Sequence, residues 1–144
     1  MADRAQQAVA VFRDGFNCSQ AVLAVFAEDF GLERPTALRL ACGFGGGMRM
    51  GGPCGALSGA CMAIGLKYGK TRADDNQARD KTYALVQQLA ARFRALHGTI
   101  LCRDLIGCDI STPQGYEEAK QKKVFLEICP GLVADAVKIL EELL

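Results

Sequence analysis

Asp74-Asp75-Asn76-Gln77-Ala78-Arg79-Asp80-Lys81-Thr82-Tyr83-Ala84-Leu85-Val86-Gln87-Gln88-Leu89-Ala90-Ala91-Arg92-Phe93-Arg94-Ala95-Leu96-His97-Gly98 is the longest stretch with one unbroken period. Ala78, Thr82, Leu85, Val86, Leu89, Phe93 and Leu96 recur at intervals of three and four, the spacing of one helix face. Asp74 reads as the N-cap, Gln77 completes a capping box, and Gly98 stops the helix. Outward from this helix the same period repeats. Ala5, Ala8, Val9 and Phe12 form a short amphipathic stretch that ends at Asp14-Gly15. Asn17 with Gln20 opens a second helix, burying Val22, Val25 and Phe26 and closing near Gly31. Pro35 starts a brief helix through Leu38 and Ala41, and Pro53 starts another through Leu66, with Gly69 near its end. Thr99 caps a short helix ending at Gly107, and Ser111 or Thr112 with Pro113 opens the next. The last helix follows Cys129-Pro130-Gly131 and carries Leu132, Val133, Ala136, Val137, Leu140, Leu143 and Leu144.

With no β-branched run and abundant alanine, the chain reads as all-α, a compact helical bundle of about six or seven helices with one Gly-rich loop, Gly43 to Gly52. Its 144 residues suit a single domain, 1–144, that buries about two-thirds of the unfolded surface. The 17 basic side chains face 16 acidic ones, leaving no excess charge for phosphate backbones, so nucleic acid is excluded as a partner. The opening Met-Ala-Asp-Arg-Ala-Gln-Gln lacks the order of a secretory signal, and no apolar run approaches the ~20 residues of a membrane span. These features predict a cytoplasmic chain without membrane insertion. They leave the redox partner unknown and a homo-oligomer open.

Seven cysteines, at 18, 42, 54, 61, 102, 108 and 129, are then the informative residues. In a reducing cytosol they point to redox chemistry or metal ligation rather than stapling, although a free cysteine is also an ordinary small core residue. Four fall in or beside the first turn of an expected helix: Cys18, Cys54, Cys102 and Cys129. Unpaired N–H groups and the positive helix end favour thiolate there. The dipole alone contributes ~0.3–1 kcal/mol, about one pKa unit at most, so a larger drop needs direct N–H bonds or a cation. Arg49 and Arg103 are the nearest cations in sequence. Cys54 and Cys61 lie about 10.5 Å apart along one helix and cannot pair, and Cys102 and Cys108 are poor partners at about 9 Å unless Gly107 breaks the turn between them. Cys42, near a helix end, and Cys61 are assigned to packing, while Cys108 stays open. No Cys-x-x-Cys occurs, which removes the thioredoxin and usual zinc-ribbon signatures.

Gly55, Gly59 and Gly65 cost the Pro53 helix roughly 3 kcal/mol relative to alanine, so a close approach of another backbone or a cofactor should offset them. The Gly43–Gly52 loop has neither P-loop nor Rossmann context and reads as a cover over Cys54. His97, the only histidine, is a helix-end cation, a base or a ligand. No serine, histidine and acid constellation supports a hydrolase.

Cys54-Gly55-Ala56-Leu57-Ser58-Gly59 resembles the Cys-Gly-Ala-x-x-Gly signature of the C_GCAxxG_C_C family of redox-active proteins, chains of about this length. Cys18 matches the early cysteine, Cys54 the motif cysteine, and Cys102 and Cys129 the two later ones, with Cys108 competing for the third. Pro53 stands where the family name writes a glycine. The resemblance implies a small cysteine-dependent redox protein without a defined substrate. Three functions follow from these residues. The first is a thiol-dependent oxidoreductase with Cys54 attacking and Cys18, Cys102 or Cys129 resolving. The second is an iron–sulfur or zinc protein with Cys18, Cys54, Cys102 and Cys129 as ligands. The third is a helical partner-binding module with structural cysteines.

Overall fold

The computed structural model describes residues 3–144. It consists of α1 (Arg4–Arg13), α2 (Cys18–Ala27), α3 (Arg34–Ala41), α4 (Gly55–Tyr68), α5 (Asn76–His97), α6 (Cys102–Ile106), α7 (Pro113–Gln121), α8 (Val124–Glu127) and α9 (Cys129–Leu143). No strand occurs among the described residues; an isolated antiparallel bridge joins Pro53 to Leu101. The architecture is all-α and matches the expected bundle of about six or seven helices roughly, with α6 and the single turn α8 as its shortest pieces.

The centre is α2, whose Ala21, Val22, Leu23, Phe26 and Ala27 are buried around its circumference. A helix apolar on every side must be enclosed. Four helices, α1, α3, α4 and α9, pack against it. The next layer, α5, covers α4 and α9 with one face, burying Leu89 and Phe93. A smaller apolar cluster, including Ile106, Ile110, Ala119 and Val124, holds α6, α7 and α8 together beside the main core.

The long helix departs from its sequence reading at both ends. Its cap is Asp75, whose carboxylate accepts from Ala78 N–H at 3.1 Å, not Asp74. A turn closed by Asp75 N–H on Arg72 C=O sets that register and leaves Asp74 to pair with Arg72 at 3.0 Å. At the other end Leu96 is 61% exposed. His97 takes the inward position instead, its ring 4.7 Å from Phe93 and its Nε2 3.1 Å from Asp135 Oδ2. Likewise Thr99 does not cap α6: its hydroxyl accepts from Leu101 N–H, and Leu101 occupies the cap position.

Candidate functional site

Four helix starts meet at one cavity of about 790 Å³, which Cys18, Cys54, Cys102 and Cys129 all line. Cys18, Cys102 and Cys129 are the first residues of α2, α6 and α9, and Cys54 is the cap residue of α4. Each is placed by local chemistry. Asn17 and Gln20 form the expected reciprocal capping box, at 3.0 and 2.9 Å, and Asn17 Nδ2 also donates to Cys42 C=O at 2.8 Å. Asn17→Ala is therefore expected to cost about 1 kcal/mol, read as a lower urea midpoint at unchanged slope. An unshifted midpoint would show that the cap does not hold this helix start.

Cys54 and Cys102 are brought together by the bridge between them. Cys54 N–H donates to Ile100 C=O and Cys102 N–H to Gly52 C=O, both at 2.7 Å. Pro53 and Leu101 form the non-hydrogen-bonded pair between these two bonds, where the N–H that proline lacks is not required. Gly55 and Gly59 bring α4 onto α2. A Cβ at Gly55 would stand 2.5 Å from Cys18 Sγ and 2.9 Å from Phe44 C=O, and one at Gly59 would stand 2.6 Å from Ser19 C=O. Helix-on-helix contact thus offsets the cost of these two glycines, whereas Gly65 has nothing within 4 Å.

The tight approach creates an unequal pair of thiols. The Cys54 thiol donates to the Cys18 sulfur, the largest cause lowering Cys18 from 9.0 to about 7; burial opposes it, and the N–H groups of Gly46, Ser19 and Cys18 itself assist. Cys54 is pushed well above its ordinary range, first by that same bond, then by burial and by the Cys18 charge. One proton is shared between two sulfurs, and Cys54 holds it. The direction favours Cys18 over Cys54 as the thiolate of the pair, chiefly through the Cys54 thiol, although Cys54 also receives N–H groups from Ala56 and Leu57. Burial raises Cys102 to about 11 and Cys129 to about 12, with the Cys18 charge as the second cause for both.

The Gly-rich segment is wound rather than irregular. Gly46, Gly47, Met48 and Arg49 all have positive φ, and Gly52 N–H closes the turn on Gly47 C=O at 3.1 Å. Holding Met48 and Arg49 left-handed costs on the order of 1 kcal/mol each. The turn carries the Gly46 N–H that reaches Cys18. The two cations expected beside a thiolate are engaged elsewhere. Arg49 lies 4.5 Å over the Tyr116 ring with Nε donating to Ile110 C=O, and Arg103 acts on Asp109. The neighbouring thiol and backbone N–H groups take their role.

Cys42, assigned to packing from sequence, is exposed and lines the same cavity, because the turn after α3 faces Asn17. Cys61 is packed against the core and pushed up to about 11 by burial, and Cys108 is buried in the smaller cluster. His97 is not among the residues lining the cavity. Sequence reasoning also missed the aromatic wall, Phe12, Phe16, Tyr116 and Phe125. The one signal for it was the pair of phenylalanines flanking Gly15. Among the described residues no three Cys, His, Asp or Glu side chains form a group able to hold one metal ion, although five cysteines line one cavity. No helix among the described residues is long and apolar enough to cross a membrane.

A family model described as "Putative redox-active protein (C_GCAxxG_C_C)" matches residues 16–143. Neither a curated protein nor a solved structure matches the chain.

Proposed function

Because the chain belongs to the C_GCAxxG_C_C family of redox-active proteins, we propose that it is a thiol oxidoreductase in which Cys18 and Cys54 cycle between dithiol and disulfide. One observation carries this reading: α4 is seated so closely on α2 that a Cβ at Gly55 would stand 2.5 Å from Cys18 Sγ, and the adjoining Cys54 lines the same cavity as Cys18. Cys18 thiolate attacks a sulfur of an incoming disulfide and forms a mixed disulfide, releasing one thiolate. Loss of the Cys18 charge removes one cause of the high Cys54 pKa, so Cys54 gives its proton to the departing thiolate. The Cys54 sulfur then attacks Cys18, breaking the mixed bond and releasing the second thiolate. Two electrons leave the protein, a Cys18–Cys54 bond forms, and an external dithiol in a reducing cytosol restores it by the reverse steps. Cys102 and Cys129, pushed up by burial, stay as thiols at the same cavity.

Two measurements test the reading. Mild oxidation of the reduced protein should lower its seven titratable thiols by two, with Cys18 joined to Cys54 in the peptide map. No paired loss would refute the cycle. The rate of Cys18 alkylation should rise with pH around a midpoint near 7, because the thiolate is the reacting form and its fraction falls below that value. The iron–sulfur or zinc alternative, which uses the same four sulfurs, requires anaerobically purified protein to be coloured or to carry about one zinc per chain.

A further inference from the structure

The wall facing the thiols has a composition that selects what can reach them. Phe12, Phe16, Tyr116 and Phe125 supply ring faces, Tyr116 and Phe125 lying 5.6 Å apart. Two exposed arginines, Arg13 and Arg49, line the same cavity, and no Asp or Glu does among its described lining residues. Arg13 has no acidic partner among the described residues. Arg49 spends Nε on Ile110 C=O and stacks on Tyr116, leaving both Nη groups without a protein acceptor among the described residues. A fixed fork of free N–H donors beside ring faces recognises an anion attached to an apolar body. The volume, about 790 Å³, falls in the range for a small organic molecule.

We propose that the cavity takes a small organic disulfide with a ring-bearing apolar body and an anionic group, held by Arg13 and Arg49 while Cys18 attacks its sulfur. This rests on the dithiol cycle above and names its oxidant. The organic disulfide accepts two electrons and leaves as two thiols, and the protein keeps them as one Cys18–Cys54 bond. A carboxylate, sulfonate or phosphate on the ligand would meet the same two guanidinium groups. A cationic disulfide would be repelled by them.

Two probes separate binding from redox chemistry. Anilinonaphthalene sulfonate, an apolar ring anion without a reactive sulfur, should protect Cys18 from alkylation at concentrations about tenfold below those of its neutral parent phenylnaphthylamine. Arg13→Glu, a change at an exposed and unpaired side chain, should remove that advantage and leave protection by the neutral compound unchanged; Arg13→Gln combined with Arg49→Gln should do the same. In the reaction itself, dithiobis(nitrobenzoate) should outpace neutral dithiodipyridine by about tenfold after each rate is divided by its rate with a free small thiol. Equal protection by sulfonate and neutral parent, or protection unchanged in both variants, overturns the anion subsite. Selective protection without paired thiol loss would instead refute the dithiol cycle.

Discussion

Cys54→Ala is expected to move the alkylation midpoint of Cys18 from about 7 toward the ordinary 9, because it deletes the bond that is the largest cause of the depression. At pH 7 the thiolate fraction would then fall from about one half to about one per cent. The more basic thiolate is also the better nucleophile, by about eightfold over two pKa units, so the net loss at pH 7 is only about sixfold. Above about pH 8 the sign inverts and the variant becomes the faster protein. Cys54→Ser differs in kind: its hydroxyl still donates, so the midpoint should stay nearer 7, but oxygen cannot resolve a mixed disulfide. That variant should release one thiol per chain from an aromatic disulfide and retain the other half as an adduct visible by mass. Cys18→Ser should lose the reaction by about three orders of magnitude, since no ionised nucleophile remains at the site. A midpoint unmoved in Cys54→Ala would show that backbone N–H groups alone hold Cys18 down and would remove the reason for pairing the two thiols.

What the sequence disclosed and what it concealed divide along the distance over which each feature is decided. Helix starts depend on a few adjacent residues, so Asn17 with Gln20, Thr112 with Pro113, and Gly107 behind α6 could be read directly, and with them the four cysteines at helix starts. Even there a neighbouring acid could substitute: Asp74 and Asp75 differ only in which of them the preceding turn presents to the helix. The partition of one proton between Cys18 and Cys54 depends on Gly46 and on the seating of α4 against α2, neither of which has a local signal. Cys42 was misplaced for the same reason. Its position after a helix argued against a thiolate, but its place on the cavity follows from the contact between Asn17 and the turn after α3. The left-handed run through Met48 and Arg49 contradicts residue preference, and only the tertiary setting holds it.

The glycines of α4 give the second large expected effect, and they give it with opposite signs along one helix. In Gly65→Ala the added methyl meets nothing within 4 Å, so only helix propensity acts. The variant should gain about 1 kcal/mol, or about 2–4 °C in Tm. Gly59→Ala gains the same propensity but drives its Cβ to 2.6 Å from Ser19 C=O, a backbone atom of the central helix that cannot rotate away. Relief requires α4 to lift from α2, at the upper end of the ~1–3 kcal/mol typical of overpacking, so the net loss should be about 2 kcal/mol and roughly 4–8 °C. The two substitutions, six residues apart and chemically identical, should therefore differ by about 3 kcal/mol. Gly59→Ala should also raise the Cys18 alkylation midpoint, because lifting α4 carries the Cys54 donor off the Cys18 sulfur. Gly55→Ala should raise it further, since its methyl would occupy the space 2.5 Å from that sulfur. If Gly59→Ala and Gly65→Ala melt together and alkylate alike, then α2 and α4 are not in backbone contact at Ser19, and the shared proton loses its structural basis.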